Sequence, residues 1–372
     1  MANQLKRYEL GLGAGVLSTA DGGQLVIGDT TPTTTSTSMY GVASDNSGNL
    51  YICDSANATI YKVTESGYIQ LFAGLAGAQG FTDGIASAAR FDNPHGIAVD
   101  RSGTIYVADT NNGAVRRIDM NGNVGTLAVT TTGASAFVSP WGVACAPNGD
   151  VYVTDQAQHC VYQIKPNGTA VIWAGTYGSS GDVSAEYGSS AEFDTPTGIA
   201  VDPSGYVFVS DSGNYKVKRI GLDGFVVRFC GTAAQGDVIG TYQTSRFTSL
   251  GLMACDRSGN VYVIDGIYAG TASSSSSSQS GDEDASNGLV GDKIKKIDQN
   301  GNTSLVSMVT DGVVVGIATS PAGVVYVTRS SGTAGSSSSS VSSSSSSSVS
   351  SSSSSSSVSS SSSSVSSSSS SA

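Results

Sequence analysis

The sequence is poor in histidine, in basic runs and in long apolar stretches. Its two histidines, His95 and His159, are too few for a three-histidine zinc site. The formal net charge is −11 and no Lys/Arg run interrupts it, which argues against a nucleic-acid partner. No apolar run is long enough for a membrane span, and residues 1–10 lack the apolar core of a secretory signal. We therefore expect neither nucleic-acid binding nor membrane insertion, and the compartment stays unassigned.

Cysteine is also scarce, and no pair has CxxC spacing. The five cysteines are Cys53, Cys145, Cys160, Cys230 and Cys255. Their odd number and their scatter favour buried small hydrophobic side chains over a disulfide framework or a zinc site. What the sequence does have in abundance is glycine, with 47 residues, which indicates many tight turns.

The C-terminal segment differs in kind from the rest. From Ser336 onward it contains only serine, four valines and a terminal Ala372. Such a segment buries too little apolar surface to offset its ordering entropy. We therefore divide the chain into a folded segment, 1–330, and a low-complexity poly-serine tail, 331–372. The tail is interpreted as a disordered spacer, a glycosylated stalk or ordered polar β-structure in an assembly.

One phrase recurs throughout the folded segment. In its clearest copy residues 94–100 read PHGIAVD, residues 104–109 read TIYVAD and residues 115–119 read VRRID. The first turn residues of the six copies, 46 to 64 positions apart, are Asp45, Asp100, Ala146, Asp202, Asp256 and Ser320. Each copy predicts short strands of β-branched and aromatic residues, joined by glycine turns such as Arg101-Ser102-Gly103. This period with several short strands per copy is typical of propeller blades.

The pattern resembles the NHL-repeat propeller family over roughly residues 39–328. The resemblance rests on the PxGIAVD, xxVYVxD and VxxI blocks and on the lead-in Arg90-Phe91-Asp92-Asn93-Pro94. It implies an all-β, six-bladed β-propeller. The sixth copy stops after two strands, so we expect strand-like segments at residues 8–12 and 24–27 to close the last blade and remove its unpaired edge.

The longer connections indicate a working face. Residues 74–93, 175–195 and 231–249 join a fourth strand to the next first strand, and the insertion 266–292 emerges on the same side. Binding residues usually lie on such loops, so we predict a ligand on this long-loop face. At its channel mouth we expect Tyr40, His95, Trp141 and Thr197, with His159 on the same face. The alternative is that these side chains simply plug the channel.

Two acidic sets invite a chemical interpretation. The second-strand aspartates are Asp54, Asp109, Asp155, Asp211 and Asp265. Their recurrence once per repeat favours turn capping through backbone N–H groups over a catalytic ring. The cluster Asp282-Glu283-Asp284 lies in a Ser/Gly-rich insertion and is interpreted as a solvated loop. We assign no catalytic residue, cofactor or metal.

The function indicated by these features is non-enzymatic binding or recognition, with a protein or glycan ligand. The tail suggests display on an extracellular or virion assembly, and assembly through the serines themselves. The alternative is a propeller hydrolase or lyase acting on a small molecule at the central channel. Family members that are lyases use several histidines around zinc, and the two histidines here depart from that pattern. One fold hosts many functions, so the resemblance does not choose between them.

Overall fold

The computed structural model describes residues 8–11, 16–19, 24–27, 39–127, 130–131, 137–266, 292–309 and 313–330. All of them belong to one unit, Met1–Thr333. The poly-serine tail and residues 267–291, with Asp282-Glu283-Asp284, lie outside the described residues. No helix in the described ranges is long and apolar enough to cross a membrane.

The described chain is almost entirely β-structure. In chain order its strands are β1 Tyr8–Gly11, β2 Val16–Thr19, β3 Gln24–Ile27, β4 Met39–Ser44, β5 Leu50–Asp54, β6 Thr59–Val63, β7 Ile69–Gly74, β8 Gly84–Ile85, β9 Pro94–Val99, β10 Ile105–Asp109, β11 Ala114–Ile118, β12 Asn123–Thr126, β13 Thr130–Thr131, β14 Pro140–Cys145, β15 Val151–Asp155, β16 Cys160–Ile164, β17 Thr169–Ala174, β18 Pro196–Val201, β19 Val207–Asp211, β20 Lys216–Ile220, β21 Val226–Cys230, β22 Leu250–Cys255, β23 Val261–Asp265, β24 Asp292–Ile297, β25 Thr303–Val309, β26 Val313–Thr319 and β27 Val325–Ser330. Its helical segments are short 3₁₀ turns at Ala86–Ala88, Thr110–Asn112, Gly188–Ser190 and Ser212–Asn214.

Five sheets are each built from consecutive strands around a common axis. They are sheet I (β4–β7), sheet II (β9–β12, with β8 at its edge), sheet III (β14–β17, with β13 at its edge), sheet IV (β18–β21) and sheet V (β22–β25). The main strands pair antiparallel in chain order, and the first strand of each sheet contacts the first strand of the next. The prediction of an all-β propeller is confirmed.

A further sheet combines both ends of the described chain. Its order is β1-β3-β2-β27-β26, and β2 pairs antiparallel with β27. We call it the composite sheet. The predicted N-terminal segments 8–12 and 24–27 correspond to β1 and β3, but the strand beside β27 is β2, which the sequence did not indicate. Its four residues, VLST, have no repeat motif around them, and only pairing with the distant β27 selects them.

The first strands approach one another at a repeated glycine. A Cβ at Gly96 would overlap the carbonyl oxygen of Trp141 in sheet III, and residues 41, 142 and 198 stand in the same relation to the sheets that follow them. In sheet III the Thr154 hydroxyl accepts the Gly142 N–H at 2.8 Å and donates to the Thr197 carbonyl at 2.7 Å. Glycine is therefore required here by backbone packing between sheets.

The hydrophobic core is distributed between the sheets. Each pair of successive sheets from I to V encloses its own cluster of buried side chains, centred on Phe91, Tyr162, Phe193 and Phe247. The five cysteines are free, and Cys53, Cys160 and Cys230 are fully buried in these clusters. Burial raises the pKa of all five thiols. Their predicted role as small hydrophobic side chains is confirmed.

Tight turns collect at one end of the sheets, which we call the turn face. Asp100 shows how they form, because its Oδ1 accepts the N–H groups of Ser102 at 2.8 Å and Thr104 at 2.9 Å. Gly103 completes the turn with φ of +85°, a conformation that side chains disfavour. The predicted glycine turns between first and second strands are therefore confirmed.

The long connections leave the opposite face and return along the outer strands. Before sheet II the chain pairs at Gly84 with Val124 of β12, and before sheet IV Ala185 pairs with Val226 of β21. Before sheet V the Gly240 carbonyl accepts the Thr303 N–H at 2.7 Å. The expectation that all of this length accumulates on one face is wrong for these segments. They cover the exposed edges of the last strands, which would otherwise present unpaired backbone groups.

A buried cation in the third strand holds each of these connections. In sheet II, Arg116 bonds the carboxylates of Asp109 at 2.8 Å and Asp83 at 2.7 Å. It also donates to the carbonyls of Arg90 and Thr82 in the connection. Equivalent sets in sheets IV and V are Lys218 with Asp211 and Asp182, and Lys295 with Asp265 and Asp237. Each cation also faces the phenylalanine of the lead-in, namely Phe91, Phe193 or Phe247.

Removing one such cation should strongly destabilise the fold. Arg116→Met leaves the Asp109 carboxylate buried without its partner, so we expect a loss of about 3–5 kcal/mol in the free energy of unfolding. Arg116→Lys keeps a positive charge at this position, as Lys218 does at the equivalent position of sheet IV. This variant should therefore lose clearly less stability than Arg116→Met. Arg117→Met, at the exposed neighbour, should change stability by less than about 0.5 kcal/mol. Urea denaturation measures all three, and equal effects of Met and Lys at position 116 would contradict this role for the charge.

Candidate functional site

Three aromatic rings meet at the end of the first strands opposite the turn face. The His95 ring stacks on Trp141 with centroids 3.9 Å apart, and Tyr40 meets His95 edge-on at 4.5 Å. Tyr40 and Trp141 lie 6.4 Å apart at 90°. The three residues occupy the same position in the first strands of sheets I, II and III. We call Tyr40, His95 and Trp141 the mouth cluster.

His95 is the buried centre of this cluster. The Thr110 hydroxyl donates to the Pro140 carbonyl at 2.7 Å, so it accepts a hydrogen bond from His95 Nδ1 at 2.8 Å. This places the proton of the neutral ring on Nδ1. Burial lowers the pKa of His95 to about 4, although a bond to the Asn93 backbone opposes the shift. The ring is therefore neutral at physiological pH and acts as a packing platform for Trp141.

Thr197 and His159 have structural contacts of their own. Thr197 is buried, and its hydroxyl is bonded to Ser212 at 2.5 Å and to the Leu250 carbonyl at 3.2 Å. His159 lies in the turn between β15 and β16, and its Nδ1 accepts the Thr195 N–H at 3.0 Å. A nitrogen that accepts this bond carries no proton, so Nδ1 cannot also donate to a neighbouring carboxylate. His159 thus fixes the lead-in to sheet IV and has no ring contact with the mouth cluster among the described residues.

The second-strand aspartates are structural acceptors. Each of the five receives at least one backbone N–H, and the donors are Asn57, Asp92, Val138, Asp194 and Thr248. Burial raises the pKa of Asp109 and of Asp211, while Arg116 and Lys218 oppose the shift. The predicted capping role is confirmed. The buried cations that accompany these aspartates were not predicted, because their spacing is that of an ordinary charged strand face.

The described residues contain no group of three or more His, Cys, Asp or Glu side chains arranged to hold a metal ion. The arrangement at the mouth is instead an amphipathic aromatic surface. Tyr40 and Trp141 are half-buried there, and the buried His95 ring supports both. Such a surface can contact a ligand through ring faces and polar ring atoms.

The low pKa of His95 should make stability depend on pH. The unfolded histidine has a pKa of 6.5 and the folded one about 4, so in this window the unfolded state binds more protons. Stability is therefore fully present above the unfolded pKa and is lost as pH falls. Between pH 7 and about pH 5 the loss from His95 should be about 2 kcal/mol.

His95→Gln removes this titration, so the variant should lose about 2 kcal/mol less than the wild type over the same pH change. Urea denaturation at both pH values measures it. The carboxylates titrate in both proteins, so the difference between the proteins isolates His95. Equal losses in the two proteins would contradict a buried neutral ring.

Part of the chain is similar in sequence to known proteins. A family model described as the NHL repeat matches residues 91–118. The chain is 39% identical over 81 residues to Protein SUPPRESSOR OF QUENCHING 1, chloroplastic, of Arabidopsis thaliana, and the match covers 22% of this chain and 8% of that protein. The chain thus spans under a tenth of the length of this curated relative.

Two solved structures share the fold. A gluconolactonase from Xanthomonas campestris is 16% identical, with a TM-score of 0.52 over 79% of this chain and 86% of its own. A putative gluconolactonase is 14% identical, with a TM-score of 0.51 over 86% of this chain and 93% of its own. At these identities the likeness concerns the fold alone. With the sheet arrangement, it shows that the chain is an all-β propeller, and the family model places an NHL repeat at residues 91–118.

Proposed function

We propose that this propeller is a non-enzymatic binding module whose mouth cluster takes up a protein or glycan ligand. The observation that carries the proposal is the packing of Tyr40 and Trp141 around the buried His95 ring. Rings held this way lose little conformational freedom on binding, and aromatic side chains are enriched at interface centres. The sheets beneath supply the rigidity that such a surface needs.

The ionisable groups at this site already form hydrogen bonds within the fold, which supports binding over catalysis. His95 and His159 each use Nδ1 in a hydrogen bond of the fold, and the second-strand aspartates accept backbone N–H groups. A general base must be able to reach a substrate proton, which these contacts do not favour. The alternative, a hydrolase or lyase acting on a small molecule at the channel, draws on the fold likeness to gluconolactonases only.

The poly-serine tail completes the proposal. A long serine segment after a rigid binding domain suits a spacer that displays it on an extracellular or virion assembly.

We also propose that the composite sheet acts as a sixth blade and closes the ring. Support comes from β26, which contacts β22 on one side and β4 on the other. A Cβ at Gly316 would overlap the Tyr40 carbonyl oxygen, to which the Thr328 hydroxyl donates. Buried clusters also link sheet V to the composite sheet and the composite sheet to sheet I.

Gly316→Ala tests this closure. The added methyl meets backbone of sheet I, so we expect a loss of about 1–3 kcal/mol in the free energy of unfolding. Gly125→Ala is the matched control, because a Cβ at Gly125 meets open space. Urea denaturation compares the two variants. An unaffected Gly316→Ala protein would show that the composite sheet packs elsewhere.

The binding proposal is tested with the full-length protein on a glycan array and against a displayed peptide library. For the best binder, Trp141→Ala should raise Kd at least about tenfold, because truncating a true anchor costs roughly 2 kcal/mol. Tyr68→Ala removes an exposed aromatic at a turn of sheet I, and it should leave Kd unchanged. Thermal unfolding must show that both variants are folded.

Two results would overturn the proposal. One is normal binding by Trp141→Ala together with loss of binding by Tyr68→Ala, which would assign the ligand to the turn face. The other is turnover of a lactone or of another small molecule that chelation abolishes and the added metal restores. That result would establish the enzymatic alternative.

A further inference from the structure

The turn face has a cavity at the other end of the channel. Its volume is about 420 Å³, within the range of roughly 300–1,000 Å³ that small-molecule sites occupy. The first-to-second-strand turns of sheets II, III, IV and V line it. It lies at the opposite end of the first strands from the mouth cluster and shares no residue with it.

The inner wall of the cavity is apolar and uncharged. Val99, Cys145, Val201 and Cys255 close the first strands of the four sheets and all line the cavity. Burial raises the pKa of both thiols, and nearby aspartates raise it further, so the sulfur atoms stay protonated. The prolines of the turns in sheets III and IV, Pro147 and Pro203, extend this apolar wall outward.

Two guanidinium groups flank the wall. Arg101 and Arg257 belong to identical Asp-Arg-Ser-Gly turns after β9 and β22, and sheets III and IV lie between them. Both side chains are exposed, and neither forms an ion pair within the described ranges. The cations of the fold behave differently, since Arg116 bonds two carboxylates. Arg101 and Arg257 are therefore free to meet a ligand.

Three aspartates, Asp100, Asp202 and Asp256, also line the cavity, and each accepts hydrogen bonds within its own turn. Asp202 Oδ1 accepts the N–H groups of Ser204 and Tyr206, both at 2.9 Å. Asp100 Oδ1 accepts two backbone N–H groups and the Ser102 hydroxyl. Asp256 Oδ1 accepts two N–H groups, and its Oδ2 accepts from Asn260 at 2.8 Å and from Tyr262 at 3.2 Å. These hydrogen bonds occupy carboxylate oxygens without using either guanidinium.

We propose that the cavity binds a small dianion whose two anionic groups are joined by an apolar body. Arg101 and Arg257 each take one anionic group, because the planar guanidinium matches carboxylate and phosphate in a two-pronged hydrogen bond. The body lies on the valine, thiol and proline wall between them. A monoanion would satisfy only one guanidinium, so the site distinguishes ligands by their second charge.

Isothermal titration of the full chain with straight-chain dicarboxylates from succinate to sebacate tests the proposal. We expect one chain length to bind best, and its monocarboxylate counterpart to bind at least about tenfold more weakly, because one charge-assisted pair is worth roughly 1.5–3 kcal/mol. Arg101→Gln and Arg257→Gln should each weaken the dicarboxylate at least about tenfold and leave the monocarboxylate less affected.

Arg228→Gln is the matched control. Arg228 is an exposed arginine of β21, outside the cavity, so its replacement should leave the dicarboxylate affinity unchanged. Val201→Phe checks independently that the ligand binds in the cavity. Its larger side chain should fill the cavity and abolish binding while both arginines stay in place. The proposal is overturned if no dicarboxylate binds, if the mono- and dicarboxylates bind equally, or if the three arginine variants lose the same affinity.

Discussion

The first strands of neighbouring sheets meet at a glycine with no room for a side chain, and the propeller depends on this approach. The strands meet close to the axis, where the sheets are nearest, so any Cβ at Gly96 or Gly142 would push a whole sheet outward. Because the space is so small, the hydroxyl of Thr154 bridges both backbones directly. Farther from the axis the sheets diverge, and phenylalanines such as Phe91 and Phe193 fill the wider gaps.

A second constraint acts at the outer edge of the sheets. The last strand of a sheet would expose a row of unpaired backbone groups, and the long connections cover part of that row in sheets II, IV and V. A segment without regular structure cannot stay there through its own few strand bonds. The buried cation supplies the further bonds that hold the connection, since Arg116 bonds two carboxylates and two carbonyls at once. The Arg116 guanidinium and the Asp109 carboxylate are both fully buried, and each compensates a charge that burial would otherwise make costly.

Features encoded locally could be predicted from the sequence, and features that need a distant partner could not. The turn at Asp100 depends on residues within four positions, and the capping aspartates recur at a fixed place in each repeat, so both were predictable. Strand β2 is selected by pairing with β27, over three hundred positions away. The course of the long connections depends on Lys218 and its equivalents. Their position in the strand matches that of an exposed charge, and only the path of the connection buries them.

The two ends of the first strands differ in packing, because the side chains at one end are large and those at the other end are small. At one end Tyr40, His95 and Trp141 converge, and their rings pack against one another. At the other end the strands close with valine and cysteine, which are too small to meet across the axis, so a cavity remains. At this same end the Thr319 hydroxyl donates a hydrogen bond to the Cys255 carbonyl at 2.7 Å. Side-chain size at the two ends of the first strands therefore leaves packed rings at one end and an open cavity at the other.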